Sequence, residues 1–282
     1  MSDQLVYLNG QFTPLSEAKI PVLDRGFIFG DGIYEVVPVY DRKPFRMQHH
    51  LARLFRSLEA IGIPNPHTLE EWHALIDRVS HANPAPTQLV YLQVTRGVAP
   101  RAHSFPKTPV PPTVFIMSNP FAPPPPATRE HGVECVTMED RRWLLCNIKS
   151  TSLLGNVLAA QNAVEHGVAE SIQFRDDWLT EGSSSNVWIV KDGSVFAPPR
   201  DNLILEGIRY GFIEELCASQ AIPFAARRIA REEVFAADEV ILSSATKEVT
   251  PVVRIDGRAI GNGRPGPIFQ KLAQAYDAAK LA

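Results

Sequence analysis

The stretch CNIKSTSLLGN (146–156) carries one lysine, Lys149, between an apolar run, WLLCNI, and a run of small polar residues. An amine at the end of an apolar strand is partly removed from water and can act as a nucleophile toward carbonyl carbon. A lone lysine is ordinarily a surface charge, so its company decides how it is read. LTEGSSSNVW (179–188) sets a carboxylate, Glu181, before Gly-Ser-Ser-Ser-Asn. That cluster of small donors suits a polar pocket floor, or equally a long hairpin turn. LILEGIRYGF (203–212) puts Gly207, Ile208 and Arg209 where a helix should begin, and N–H groups at a helix N-terminus bind anions such as phosphate. Arg53 is a further cation within a helical stretch.

The elements that would position these residues follow from periodicity. LVYLNGQFTPL places Asn9-Gly10 between two strand-like runs, the sign of a type I′ hairpin, and IYEVVPVYDRKPFRM reads as a second hairpin turning at residues 41–43. HLARLFRSLEAIGI and LEEWHALIDRVSHAN carry apolar residues at helical spacing, and QLVYLQVTRGV and PTVFIMSNPF return to strand. NPFAPPPPATRE contains four consecutive prolines, which remove backbone donors and fix φ, so the linker is placed there. The expected organisation is α+β, with a small α/β domain over 1–118, a Pro-rich linker over 119–129 and a larger domain over 130–282 that holds Lys149. Within that larger domain GVECVTMED and RRWLLCNI are expected to be strands, LLGNVLAAQNAVEHGV a helix, and 169–199 a β-meander. IRYGFIEELCASQA is read as a helix, followed by further strands and a terminal helix from Pro267.

Composition narrows the classes. With 282 residues, 45% of them hydrophobic, the chain can build about two cored domains. Lys and Arg number 28 against 31 Asp and Glu, a net charge of −3, which gives no electrostatic case for nucleic acid or a lipid surface. Arg227, Arg228 and Arg231 cluster, but Glu232 and Glu233 beside them point to a solvated helix start. Three scattered cysteines without a CxxC pair argue against a disulfide framework and a zinc site. No basic leader or membrane-length apolar run is present, so the expected setting is soluble and cytoplasmic.

Two further motifs yield no separate chemistry. GFIFGDG (26–32) is glycine-rich, but strand-like residues follow it where a dinucleotide fingerprint needs a helix, so it is read as a turn bringing backbone close to another segment. His49 and His50 are adjacent and diverge on a helix, which favours a capping or core-edge role over metal ligation. An amine, a carboxylate, a helix N-terminus ready for phosphate and Arg53 together match what pyridoxal phosphate requires of a protein.

The stretches LDRGFIFGDGIYEVV, HHLARLFRSL, YLQVTRGVAPRAHSFP, RRWLLCNIKSTSLLGNVLA, LTEGSSSNVW, LILEGI and ATKEVTPV carry a resemblance that spans nearly the whole chain. The chain resembles the fold type IV pyridoxal-phosphate aminotransferases, within them the D-amino acid aminotransferase group. The resemblance implies that Lys149 holds the cofactor as a Schiff base and shuttles the substrate's proton, and that Glu181 pairs with the pyridine nitrogen. It implies that Arg53, the amides at Ile208 and Arg209 beside Gly207, and Thr246 hold the phosphate, with Leu205 packed on the ring. Some relatives carry threonine where this chain has Arg209, a departure that leaves the backbone contact possible, removes the side chain that would give a hydroxyl contact and sets an extra cation in its place.

The resemblance also implies that Arg101 and His103, an Arg-x-His pair, form with Tyr34 a trap for the substrate's α-carboxylate across a homodimer interface. Transfer of an amino group from D-alanine to 2-oxoglutarate by a ping-pong cycle is the reaction this implies. A branched-chain L-aminotransferase, an (R)-selective amine transaminase and an aminodeoxychorismate lyase are alternatives of the same fold. A cofactor-binding protein without turnover is the alternative of another class.

Overall fold

A computed structural model describes residues 3–281, which divide into two compact units, residues 3–122 with 148–153, and residues 123–147 with 154–281. The boundary thus falls inside the Pro-rich stretch. The short segment 148–153, expected in the C-terminal domain, packs instead with the first unit.

The first unit is an antiparallel sheet covered by helices. Its strands are β1 (Leu5–Leu8), β2 (Gln11–Pro14), β3 (Gly32–Tyr40), β4 (Lys43–Pro44), β5 (Gln88–Thr95) and β6 (Thr113–Pro120), in the order β2-β1-β6-β5-β3-β4. The β1–β2 turn holds Asn9 and Gly10 at φ 47 and 90, the two positive values that a type I′ turn demands. Among its described residues the unit has three α-helices, the short α1 (Arg25–Phe29), then α2 (Met47–Ala60) and α3 (Leu69–Ala82). α3 is closed at its start by a reciprocal Thr68–Glu71 capping box. Strand alternation sends Ile33, Val37 and Val39 to one face of β3, where they join Leu51, Leu54 and Trp72 in a single buried cluster. GFIFGDG is a turn of helix closed by Gly30 in the left-handed region at φ 66. A side chain on Gly30 would meet Ser152 Oγ at 2.7 Å, so the loop does carry backbone close against the segment that follows Lys149.

The second unit comprises α4 (Pro126–His131), β7 (Val133–Glu139), α5 (Leu154–Glu165), β8 (Glu170–Arg175), β9 (Trp178–Gly182), β10 (Asn186–Lys191) and β11 (Ser194–Ala197). It continues through α6 (Ile208–Ser219), β12 (Phe224–Ala226), α7 (Arg231–Phe235), β13 (Glu239–Ser244), β14 (Glu248–Ile255), β15 (Arg258–Ala259) and α8 (Pro267–Leu281). Its sheet runs β12-β11-β10-β13-β14-β7-β8-β9, with β15 on β14; β7 is parallel to both β8 and β14.

RRWLLCNI, expected as a strand, is irregular. Trp143, Leu144 and Leu145 face outward at 45, 58 and 46% exposure, and the backbone is held by a side-on pairing with the loop at Asn202 rather than by a ladder. Three consecutive apolar residues on one exposed side are incompatible with strand alternation, which explains the departure.

Candidate active site

Lys149 reaches its place by strand pairing rather than by ending a strand of its own. Its carbonyl accepts from Tyr34 N–H at 3.0 Å, Ser150 bridges Ile33, and Thr151 N–H donates to Gly32 O at 2.9 Å. The segment therefore runs antiparallel beside the start of β3, with Ile148 anchored in the core of the first unit. Lys149 is half-buried, and its Nζ lies 4.2 Å from the centre of the Tyr34 ring, which itself stacks on Tyr91 at 5.8 Å. A cation over a phenol face is attracted by the ring, so Tyr34 fixes where the amine points.

On the opposite face of β3 lies Glu35, fully buried. It binds Arg53 through two bonds, Nε to Oε1 at 2.7 Å and Nη2 to Oε2 at 2.9 Å, and His50 Nδ1 at 2.8 Å. Burial pushes the Glu35 carboxyl up, but the Arg53 and His50 contacts outweigh it and hold the group below the usual carboxylate range. A bidentate fork leaves the guanidinium little rotational freedom, so Glu35 fixes the plane of Arg53. His50, expected at a helix cap or the core edge, is instead fully buried at 1% exposure, where it meets Glu35.

Arg101 and His103 sit together on the loop after β5, both exposed. The Arg101 guanidinium lies 5.4 Å from the Phe29 ring centre and the His103 ring 5.5 Å from the same ring. Phe29 thus serves as a common platform for the two.

In the second unit Glu181 projects from β9 into the interior. Its Oε2 accepts from Leu205 N–H at 3.0 Å and Asn186 Nδ2 at 3.4 Å, while Oε1 pairs with Arg142 Nη1. Burial raises the Glu181 carboxyl to about 7 against the opposing pull of Arg142. Arg142 is itself locked by Asp140, through Nε at 2.9 Å and Nη2 at 2.8 Å. Asn186 also donates to Leu205 O at 2.9 Å, so one amide ties Glu181 to the turn that carries Leu205.

That turn leads into α6 with Gly207 at the N-cap and no side-chain cap bond, the arrangement in which an anion can supply the missing acceptor. A Cβ on Gly207 would fall 2.3 Å from Asn186 Oδ1, so any larger residue there would have to displace the Asn186 amide. Arg209 is turned inward at 2% exposure and donates from Nε to Tyr276 Oη at 3.0 Å, so its side chain serves the interior of the second unit. Thr246 lies in the exposed β13–β14 turn, its hydroxyl 3.3 Å from Ser244 Oγ. The serines of GSSSN are not loose donors: Ser183 and Ser185 bond to the buried Glu170, which also pairs with Lys247.

The donor chemistry fits pyridoxal phosphate. Within the second unit the buried Glu181 carboxylate is tied to the turn before the uncapped start of α6, groups of the kind a ring nitrogen and a phosphate need; within the first, Lys149 lies over the Tyr34 ring and Arg53 is fixed by Glu35. Sequence reading missed Glu35, Arg142 and Glu170, each a partner of a named residue, and gave Asn186 only as the last of a cluster of small donors. Glu35 directly follows Tyr34, and Arg142 opens the run that ends at Lys149, so both were visible as charges inside motifs, but spacing gave no sign of their partners. Among the described residues no group of three potential metal ligands occurs, and no helix is long and apolar enough to cross a membrane.

Two α+β units with this topology define the fold type IV class of pyridoxal-phosphate enzymes. A branched-chain amino acid aminotransferase from Escherichia coli superposes with a TM-score of 0.92 at 25% identity, over 98% of this chain and 94% of that one. A branched-chain aminotransferase from the archaeon Thermoproteus uzoniensis, solved with norvaline, gives 0.88 at 30% identity over 97 and 93%. Residues 32–255 match the family described as Amino-transferase class IV, and the chain belongs to that family. D-alanine aminotransferase of Staphylococcus epidermidis is 43% identical over 96% of both chains, and that of Bacillus licheniformis 37% identical over 96% of this chain and 95% of that one.

Proposed function

We propose that this aminotransferase moves the amino group of D-amino acids, D-alanine as the type donor, to 2-oxo acids such as 2-oxoglutarate in a ping-pong cycle. The observation that carries the reading is the Arg101 and His103 pair set on one aromatic platform, in a chain whose relatives named D-alanine aminotransferase match it nearly end to end. A guanidinium and an imidazole side by side, with the Tyr34 phenol as third member, suit an α-carboxylate and would fix which face of Cα the amine meets.

Pyridoxal phosphate, when bound, supplies a carbon that takes up the amino group and a ring that accepts the electron pair left at Cα. Lys149 would carry the cofactor and move the proton at the substrate's Cα, oriented by Tyr34. Glu181, held by Leu205 N–H and Asn186 and paired with Arg142, would keep a proton at the pyridine nitrogen. Arg53, the α6 start at Gly207, Ile208 and Arg209, and Thr246 would hold the phosphate, and Leu205 would pack on the ring.

A homodimer belongs to this reading. Arg101 and His103 are solvent-exposed in the single chain, and α5 presents Leu154, Val157, Leu158 and Val164 to solvent at 58 to 71% exposure, an apolar stripe that a second copy would cover. The three cysteines are unpaired and buried, which suits the reducing cytoplasm.

The test is a visible-spectrum titration of the cofactor-loaded protein with D-alanine, D-glutamate, L-leucine and (R)-1-phenylethylamine, added separately. Bleaching of the yellow form by the D-amino acids alone is the expected result. Bleaching by L-leucine or the simple amine instead would overturn the substrate assignment, and no bleaching by any donor would favour a binding protein or a lyase.

A further inference from the structure

The loop that carries Arg101 and His103 is exposed, yet it is anchored from beneath by a buried cation. Arg25, in α1, is 3% exposed. Its Nη1 donates to Ala102 O at 2.6 Å and Ser104 O at 3.3 Å, and its Nη2 to His103 O at 3.4 Å. Three successive loop carbonyls around His103 therefore converge on one guanidinium, whose planar fork can satisfy all of them at once. Nε binds Asp31 Oδ2 at 2.7 Å.

Asp31 is shared. Arg96, at the end of β5, grips it through Nε at 2.8 Å and Nη2 at 3.0 Å, and also bonds Ile61 O and Gly62 O just beyond α2. Burial pushes the Asp31 carboxyl up, but the two guanidinium groups prevail and hold it below its ordinary value. The Arg96 guanidinium further covers the Phe105 ring at 3.6 Å, at the far end of the same loop. The base of the loop is fixed by Arg25 N–H to Gly97 O at 2.9 Å and Ala99 N–H to Leu23 O at 3.3 Å. Phe29, one helical turn from Arg25, lies 4.8 Å from its guanidinium while supporting Arg101 and His103 on the same ring.

We infer that Arg25, clamped by Asp31, is a positioning residue for substrate recognition: it sets the backbone of residues 102–104 so that Arg101 and His103 meet the substrate carboxylate together. The inference rests on the reading of that pair as a carboxylate trap. A buried cation answering three carbonyls and one carboxylate costs desolvation that a plain surface loop does not need, and three of its four side-chain bonds end on the loop that carries the trap.

In the full-length, cofactor-loaded protein, Arg25→Met should raise KM for D-alanine by about tenfold or more, the scale on which charged hydrogen bonds act. kcat should fall far less, and the affinity for pyridoxal phosphate should stay unchanged. Amide hydrogen exchange of the cofactor-free protein should accelerate in residues 97–105 but not in β3 or α2. Arg25→Lys, which keeps the charge without the fork, should restore part of KM, and Asp31→Asn, nearly the same size, should shift KM in the direction of Arg25→Met. An unchanged KM in Arg25→Met, or a rise accompanied by loss of cofactor affinity, overturns the inference. Arg101→Ala separates the two levels. If it raises KM while Arg25→Met does not, the inference alone fails; if it too leaves KM unchanged, the trap reading fails and takes the inference with it.

Discussion

Replacing Arg142 with methionine should destabilise the cofactor-free protein by an amount that grows with pH above neutrality. The Arg142 side chain is 6% exposed and lies between two buried carboxylates, Asp140 and Glu181. Without it Asp140 keeps the Thr180 hydroxyl and Arg175 at 3.2 Å, whereas Glu181 keeps only the neutral donors Leu205 N–H and Asn186. Burial already lifts Glu181 from 4.5 to about 7, and removing the opposing cation lifts it further. Between the unfolded and folded values the native state holds a proton that the unfolded chain lacks, so stability falls as pH rises, by about 1.4 kcal/mol per pH unit. In the parent protein that fall ends near pH 7. In the variant it continues, and between about pH 7 and 8.5 it removes about 2 kcal/mol that the parent keeps. Urea unfolding at fixed protein concentration and about pH 6, 7 and 8.5, followed by tryptophan fluorescence, measures the difference, in which other titrating groups cancel. Stability curves that run parallel above neutrality would refute the claim that Arg142 is what holds Glu181 ionised.

Three further outcomes are expected. Glu35→Gln removes the buried counterion of Arg53, and should cost about 3 kcal/mol in urea unfolding and weaken pyridoxal phosphate binding in a fluorescence titration. Because the Glu35 carboxyl is depressed, its contribution is present above the ordinary carboxylate range and is lost as pH falls through its folded value. Gly207→Ala drives a methyl into Asn186 Oδ1 and should loosen the Glu181 and Leu205 contacts, costing about 1–3 kcal/mol and lowering cofactor affinity; unchanged affinity would mean that the α6 start is not part of the phosphate cradle. Lys149→Ala should leave the fold intact by circular dichroism while abolishing the yellow absorbance and transamination; substantial residual turnover would remove the central role assigned to this amine.

Much of the local structure was legible because it rests on short-range physics. Asn9-Gly10 specified its hairpin, and the apolar spacing of 47–60 and 69–82 specified α2 and α3. The start of α6 after Gly207 was equally visible, since a helix boundary and its unsatisfied N–H groups are local matters. RRWLLCNI was misread because apolar content was taken as a strand, whereas Trp143, Leu144 and Leu145 are left outside with no neighbouring strand to pair.

The sequence by itself determined which groups are available: one lysine in a polar setting, a carboxylate before a serine turn, an arginine and a histidine two residues apart. Only tertiary structure decided what state each is in, because burial and charge pairing depend on residues far along the chain. Glu35 and Arg53 are 18 positions apart, Arg142 and Glu181 39, and Arg25 and Ala102 77. No periodicity encodes such separations. The Coulomb and desolvation energies that set a carboxylate's protonation, or fix a guanidinium in one plane, act through space between neighbours that the fold alone brings together.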